Sequence, residues 1–135
     1  MYITRGTNPK HFFSVPTTEE NTWSVTIVYS QANNSFELTR QWICPDYSVG
    51  TNQQLSANVA FSKTDKHTII VDLLADDTKQ IDPKHFVKVQ ITVIEKKEIE
   101  KDPDGNPTYG VGDIHKSEFL YLSVLDDLSI PYPPN

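Results

Sequence analysis

The chain has 135 residues, 37% of them hydrophobic and 22% charged, with a formal net charge of -6 and a pI near 5.1. This length suits one domain with its own core, and the composition excludes collagen-like and disordered chains. Lys and Arg are few and scattered, which disfavours a nucleic-acid partner. The apolar runs are too short to predict a membrane span, and the opening residues predict no secretory signal.

Alternation of apolar and polar residues predicts β-strands with one buried face along most of the chain. It is clearest in residues 23–30, where one face would carry Trp23, Val25, Ile27 and Tyr29. Further strands are predicted at residues 2–5, 11–15, 36–39, 55–61, 68–74, 87–95, 98–101 and 119–125. About seven to nine strands at this spacing predict an all-β fold, an antiparallel Ig-like β-sandwich.

Turn chemistry separates these segments, at residues 32–35, 63–66 and 102–107. In the last turn Pro103 and Pro107 fix φ, and Gly105 can take a positive φ. This turn would join two polar arms into a long hairpin, residues 96–116, that projects from the body as a contact arm. Residues 76–82 predict a single helical turn, and residues 40–54 predict an irregular loop.

The body of the domain is predicted to span residues 1–128. Residues 129–135 contain three prolines, which lack the N–H that a strand ladder needs. They are therefore predicted to run as an extended, polyproline-like tail.

The sequence shows no catalytic or metal-binding signature. Cys44 is the single cysteine, which excludes an internal disulfide, and its apolar neighbours predict a small buried side chain. Asp102, Asp104 and Asn106 have the spacing that opens an EF-hand loop, but Pro107 stands where that loop needs glycine, which favours a plain turn. The four histidines form no metal-ligand pattern and are interpreted as surface or edge residues: His11, His67, His85 and His115. We therefore expect neither an enzyme nor a cofactor.

The opening of the chain, Arg5-Gly6-Thr7-Asn8-Pro9 followed by Phe12 and Pro16, resembles that of a family of small β-sandwich proteins of phages and prophages of gut bacteria. That family begins with an R-G-T-T-P segment, and Asn8 replaces its second threonine. The resemblance extends to residues 28–31, which match an I-x-Y-x-Q strand, and to Val71, Leu73 and Thr78 in a V-x-L-x-x-x-x-T segment.

The resemblance implies a virion structural protein, made in the bacterial cytoplasm, that decorates the capsid or forms a head–tail or tail adaptor. Its partners would be capsid, portal, neck or tail subunits, or further copies of itself in a symmetric oligomer. Extended ends and a projecting hairpin suit strand addition to a neighbouring sheet edge. The residues predicted to contact partners are Arg5, Gly6, Asn8 and Pro9 in the opening, Asp104, Gly105 and Tyr109 on the hairpin, and Pro131, Tyr132 and Pro133 in the tail.

An alternative function is that of a carbohydrate-binding module displayed on a phage or cell surface. Such modules stack sugar rings on exposed aromatic side chains. Trp42 and Tyr47, in the predicted loop, are the candidates for this platform.

Overall fold

The computed structural model describes residues 1–32, 35–44, 58–126 and 131–133. Within these residues nine strands form two sheets, which confirms the predicted all-β sandwich. The strands are β1 (Tyr2–Thr4), β2 (Lys10–Ser14), β3 (Thr22–Ser30), β4 (Glu37–Ile43), β5 (Val59–Phe61), β6 (Thr68–Asp72), β7 (Val87–Lys101), β8 (Pro107–Lys116) and β9 (Leu120–Leu125). The five-residue helix α1 (Ala75–Lys79) overlaps the predicted helical turn, and a 3-10 turn spans Glu19–Asn21.

The larger sheet has the order β1-β9-β7-β3-β4, with β8 also paired to β7, and the smaller sheet has the order β2-β6-β5. Strand β3 pairs with one edge of β7, so β9 and β8 pair with successive stretches of its other edge. Ser117 bridges the break between them: its N–H donates to the Ile91 carbonyl and its Oγ accepts from the Ile91 N–H, each at 2.9 Å. The 15-residue β7 is therefore the central strand of the sheet, with β3 on one edge and β9 and β8 on the other.

The core lies between the inner faces of the two sheets. Val25, Ile27 and Tyr29 of β3 are fully buried, as the alternation predicted. They share one cluster with inward residues of β2, β5, β6 and β7, which include Phe13, Val59, Ile69, Val71, Val87 and Val89. Cys44 is also buried, which confirms its interpretation as a small core residue.

Two sequence-based boundaries are wrong. Residues 40–43 belong to β4, not to a loop, because β4 pairs with β3 from Ser30↔Glu37 to Ser24↔Ile43 despite its polar exposed side chains. The strands predicted at 87–95 and 98–101 are one strand, whose outer part is solvated on both faces and so lacks apolar alternation. Residues 45–57 of the predicted loop and strand, and residues 33–34 of the first turn, lie outside the described residues.

A buried polar pair lies inside the core between β2 and β3. His11 is 4% exposed, which corrects its interpretation as a surface residue, and its Nδ1 lies 2.9 Å from the Tyr29 hydroxyl. Burial raises the pKa of the Tyr29 hydroxyl. Burial also lowers the pKa of His11 from its ordinary value of 6.5, and the backbone of Tyr2 acts in the opposite direction.

This pair predicts a pH dependence of stability. Below about pH 6.5 His11 takes up a proton in the unfolded chain but not in the folded chain. The free energy of unfolding therefore decreases as the pH is lowered, until the pH reaches the pKa of His11 in the folded chain. One such proton contributes at most about 1.4 kcal/mol per pH unit. Urea denaturation at pH 7.0 and pH 5.5 should show a larger loss for the native chain than for His11→Gln, and equal losses would contradict this assignment.

Candidate functional site

The hairpin between β7 and β8 ends in a tightly hydrogen-bonded turn. The Asp102 N–H donates to the Asn106 carbonyl at 2.8 Å, and the Gly105 N–H donates to the Asp102 carbonyl at 2.9 Å. Gly105 has φ +83°, as this three-residue loop requires. The Asp102 carboxylate accepts from the N–H groups of Asp104 and Asn106, each at 2.9 Å. The spacing that opens an EF-hand loop therefore forms a turn.

Beyond Glu95, where the pairing with β3 ends, β7 and β8 form a two-stranded ribbon. We call residues 96–101 and 107–111 the ribbon. A Cβ on Gly110 would meet Ile99 Cδ1 at 2.2 Å, so glycine lets the Ile99 side chain cross over β8. The Lys96 ammonium lies 4.8 Å from the centre of the Tyr109 ring. The ribbon thus holds its own shape through side-chain contacts.

The β8 edge that faces away from β7, along Pro107–Lys116, has no strand partner among the described residues. Val111 and Ile114 are 55% and 58% exposed on this strand, and Tyr109 is also exposed. Unpaired backbone groups beside exposed apolar side chains are what strand addition requires. The β8 edge is therefore the candidate contact site.

A second exposed surface lies on the outer face of the large sheet, where β1, β9 and β7 meet. We call it the aromatic face: Tyr2, Phe86, Phe119 and Tyr121, each more than half exposed. Tyr2 pairs in register with Ser123, and Phe86 lines the same surface depression as Ser123. Exposed aromatic clusters are typical of interaction surfaces.

Arg5 is not on a contact surface, which corrects its assignment as a partner-binding residue. It is 0% exposed, and its Nη1 donates to Asp126 Oδ1 at 2.7 Å. Its Nη2 donates to the carbonyls of Lys79 and Pro131 at 2.9 and 3.1 Å, and its guanidinium carbon lies 5.2 Å from the centre of the Tyr132 ring. Arg5 therefore ties α1 and the C-terminal segment to the body, and the described tail residues fold back onto the domain.

The other predicted contact residues divide between two places. Near Arg5, Gly6 has φ +73°, Asn8 is exposed, and the Pro9 carbonyl accepts from the Leu73 N–H at 3.0 Å. Pro131 and Pro133 are exposed there, and Pro133 lines a surface cleft with Tyr132. Asp104, Gly105 and Tyr109 lie on the hairpin. Sequence reasoning missed Val111, Ile114 and the aromatic face. Val111 and Ile114 could have been found, because they are apolar residues in an otherwise polar arm of the hairpin.

Trp42 does not form an exposed glycan platform, which corrects the prediction made for it. It lies in β4, is 8% exposed, and packs against Phe61 with ring centres 4.8 Å apart and an interplanar angle of 80°. A sugar cannot stack on a ring face that is already covered. Tyr47, the other candidate, lies outside the described residues.

In the part of the chain that the structure describes, no three His, Cys, Asp or Glu side chains are placed to hold a metal ion. No helix of that part is long and apolar enough to cross a membrane. No known family model matches the chain, and no curated protein matches it.

Proposed function

We propose that this chain is a structural or accessory protein of a phage virion that works through protein–protein contacts. Its role would be that of a capsid decoration, head–tail or tail adaptor protein. The resemblance of its opening residues to small phage proteins supports this proposal. The observation that carries it is the ribbon, whose β8 edge is partly apolar and is paired with no other strand that the structure describes.

An open, apolar strand edge is a liability for a protein that acts alone. Natural proteins protect such edges with lysines, prolines, bulges or short strands, because exposed edges recruit other chains. Here Pro107 begins β8 and a bulge interrupts it at Gly112–Asp113, but Tyr109 and Val111 between them are exposed. The segment between Pro107 and the bulge is therefore open to another strand, which supports a role in strand addition.

The aromatic face offers a second, separate contact surface. It lies across β1, β9 and the start of β7, whereas the ribbon extends from the other end of β7. A subunit of an assembly needs surfaces for more than one neighbour, and two exposed surfaces at opposite ends of β7 suit that need.

Incorporation into particles tests this proposal. Phage particles made by bacteria that carry the gene are purified on a density gradient, and the copies of this chain per particle are counted by quantitative mass spectrometry. We expect a fixed, multiple copy number for the native chain and a large loss for Val111→Lys, which places a charge on the β8 edge.

Leu74→Lys is the matched control, since Leu74 is also an exposed apolar residue but lies beside α1, away from the ribbon. It should be incorporated like the native chain. If the native chain is missing from the purified particles, the proposed function is wrong. If Val111→Lys and Leu74→Lys are incorporated equally, the β8 edge is not the contact.

A further inference from the structure

A line of lysines runs along the outer face of the large sheet. Strand β7 buries its odd-numbered residues from 87 to 93 in the core, so its even-numbered residues point outward. Lys88 therefore lies on the outer face, and Lys116 lies there too because it pairs with Thr92. The bulge after Ile94 adds its extra residue to β8, so β7 keeps its alternation as far as Lys96. Each step of this line, from residue 88 to 92 to 96, is about 13 Å at the usual rise of a β-strand.

The outer face is basic along this line although the chain as a whole has a net charge of -6. Among the described strands, the acids in register with this face are Glu37 at the start of β4 and Glu98 in the ribbon. They stand at opposite margins of the face. A local positive potential attracts anions, so this face favours a negatively charged ligand.

The centre of the face, between the lysines and the β4 edge, carries hydroxyl and amide side chains. Thr92 pairs with Thr26, which pairs with Gln41, and Gln90 lies one row away. The Gln41 Nε2 donates to Thr26 Oγ1 at 3.2 Å, and the Gln90 Nε2 donates to the Ser117 carbonyl at 3.3 Å. Hydrogen bonds between neighbouring strands thus hold both amides in place on an open surface.

Tyr121 supplies an aromatic ring at one end of this polar centre. It pairs directly with Lys88 and is 56% exposed. The Lys88 ammonium also lies 5.3 Å from the centre of the Phe119 ring, which places this charge between two aromatic side chains. A tyrosine ring offers an apolar surface for stacking and a hydroxyl for hydrogen bonding.

We infer that this surface binds a polysaccharide that carries carboxylate groups. We call it the lysine face: Lys88, Gln90, Thr92, Lys116, Thr26 and Gln41. The ammonium groups pair with the carboxylates, and the hydroxyl and amide groups bond to the sugar hydroxyls. A sugar ring stacks on Tyr121. This inference goes beyond the proposed role in a virion and stands whether or not the chain enters particles.

The composition of the lysine face favours a sugar chain over two other anionic ligands. An acidic protein surface would need an apolar core at the centre of its contact, whereas the lysine face is polar at its centre. Single-stranded nucleic acid stacks its bases on a series of aromatic rings. Here Tyr121 stands at one end, and Lys88 lies over the Phe119 ring. Hydroxyl, amide and ammonium groups side by side suit a charged sugar chain better.

An NMR titration of the isotope-labelled full chain with a galacturonate decamer, at low salt, tests this inference. We expect a dissociation constant below about 1 mM, with the shifted amide signals concentrated in β7, β3 and residues 116–121. Lys88→Gln and Lys116→Gln should each raise the dissociation constant about threefold, and the double variant about tenfold. Tyr121→Ala should raise it about threefold through the lost stacking. Lys66→Gln, at an exposed lysine between β5 and β6, should change nothing.

The NMR spectrum of each free variant shows whether it is folded, so a lost interaction is not mistaken for a lost fold. The inference is wrong if the native chain does not bind the decamer at about 1 mM, or if the shifted signals lie away from the lysine face. Equal affinity for a glutamate decamer would mean that the face recognises charge alone. Tighter binding of a deoxythymidine decamer would make nucleic acid the ligand, and equal binding of a neutral glucose oligomer would remove the role of the lysines.

Discussion

Replacing Arg5 by methionine should lower the free energy of unfolding by about 3 kcal/mol. The guanidinium is completely buried and bonded to the Asp126 carboxylate and to the carbonyls of Lys79 and Pro131. Methionine keeps much of the apolar volume but leaves these acceptors without their donor. Asp126 is 34% exposed and stays partly hydrated, which keeps the loss at the lower end of the range for broken buried pairs.

Urea denaturation followed by tryptophan fluorescence measures this loss. Lys10→Met is the control, because Lys10 and Asp72 form an exposed pair 3.8 Å apart that should contribute less than about 1 kcal/mol. Similar losses for the two variants would contradict the account of Arg5. If Arg5→Met is as stable as the native chain but is not incorporated into particles, Arg5 contacts a partner after all.

Replacing Trp42 by alanine should destabilise the fold by about 3–5 kcal/mol, the usual cost of removing a large buried aromatic side chain. Trp42 packs edge-to-face against Phe61, so the change opens a cavity between β4 and β5. Trp42→Phe retains a ring there and should lose less than half as much stability. Tyr121→Ala, on the aromatic face, should cost less than about 1 kcal/mol because that ring is exposed.

Chemical denaturation of these three variants decides between a core residue and a glycan platform. A platform residue can be removed with little loss of stability, and sugar binding then disappears. Native-like stability of Trp42→Ala, together with loss of binding on a glycan array, would therefore restore the carbohydrate-binding alternative at this position.

Local patterns were enough to predict the parts of the fold that depend on neighbours in sequence. The alternation of residues 23–30 gave β3 and its buried face, because one strand shows which of its sides is apolar. The turn before Pro107 was predictable as well, since Asp102 and Gly105 supply the hydrogen bonds and the positive φ within a few residues.

Long-range contacts explain where sequence reasoning failed. Arg5 meets Asp126 across 121 residues of sequence, so its polar side chain in a short opening motif looked like a surface residue. Trp42 is covered by Phe61 from the other sheet, and no local pattern shows that cover. A residue is placed at a surface or in a core by its distant neighbours, which residue type and local spacing do not specify.

The candidate site also has a part that local sequence predicts and a part that depends on distant strands. The hairpin and its tip were predicted from residues 96–116, because turn chemistry and polar arms are local features. The open β8 edge was not, because an edge is defined by which strands pair beside it. The aromatic face was missed for a related reason: Tyr2, Phe86 and Tyr121 come from three segments that only the order β1-β9-β7 brings together.

A cryo-EM reconstruction of gradient-purified particles tests the central claim most directly. The expected result is a copy of this domain in the particle with a further strand about 4.8 Å from the β8 edge, beside Tyr109 and Val111. The β8 edge facing solvent in every copy, or particles that lack this domain altogether, would contradict the account.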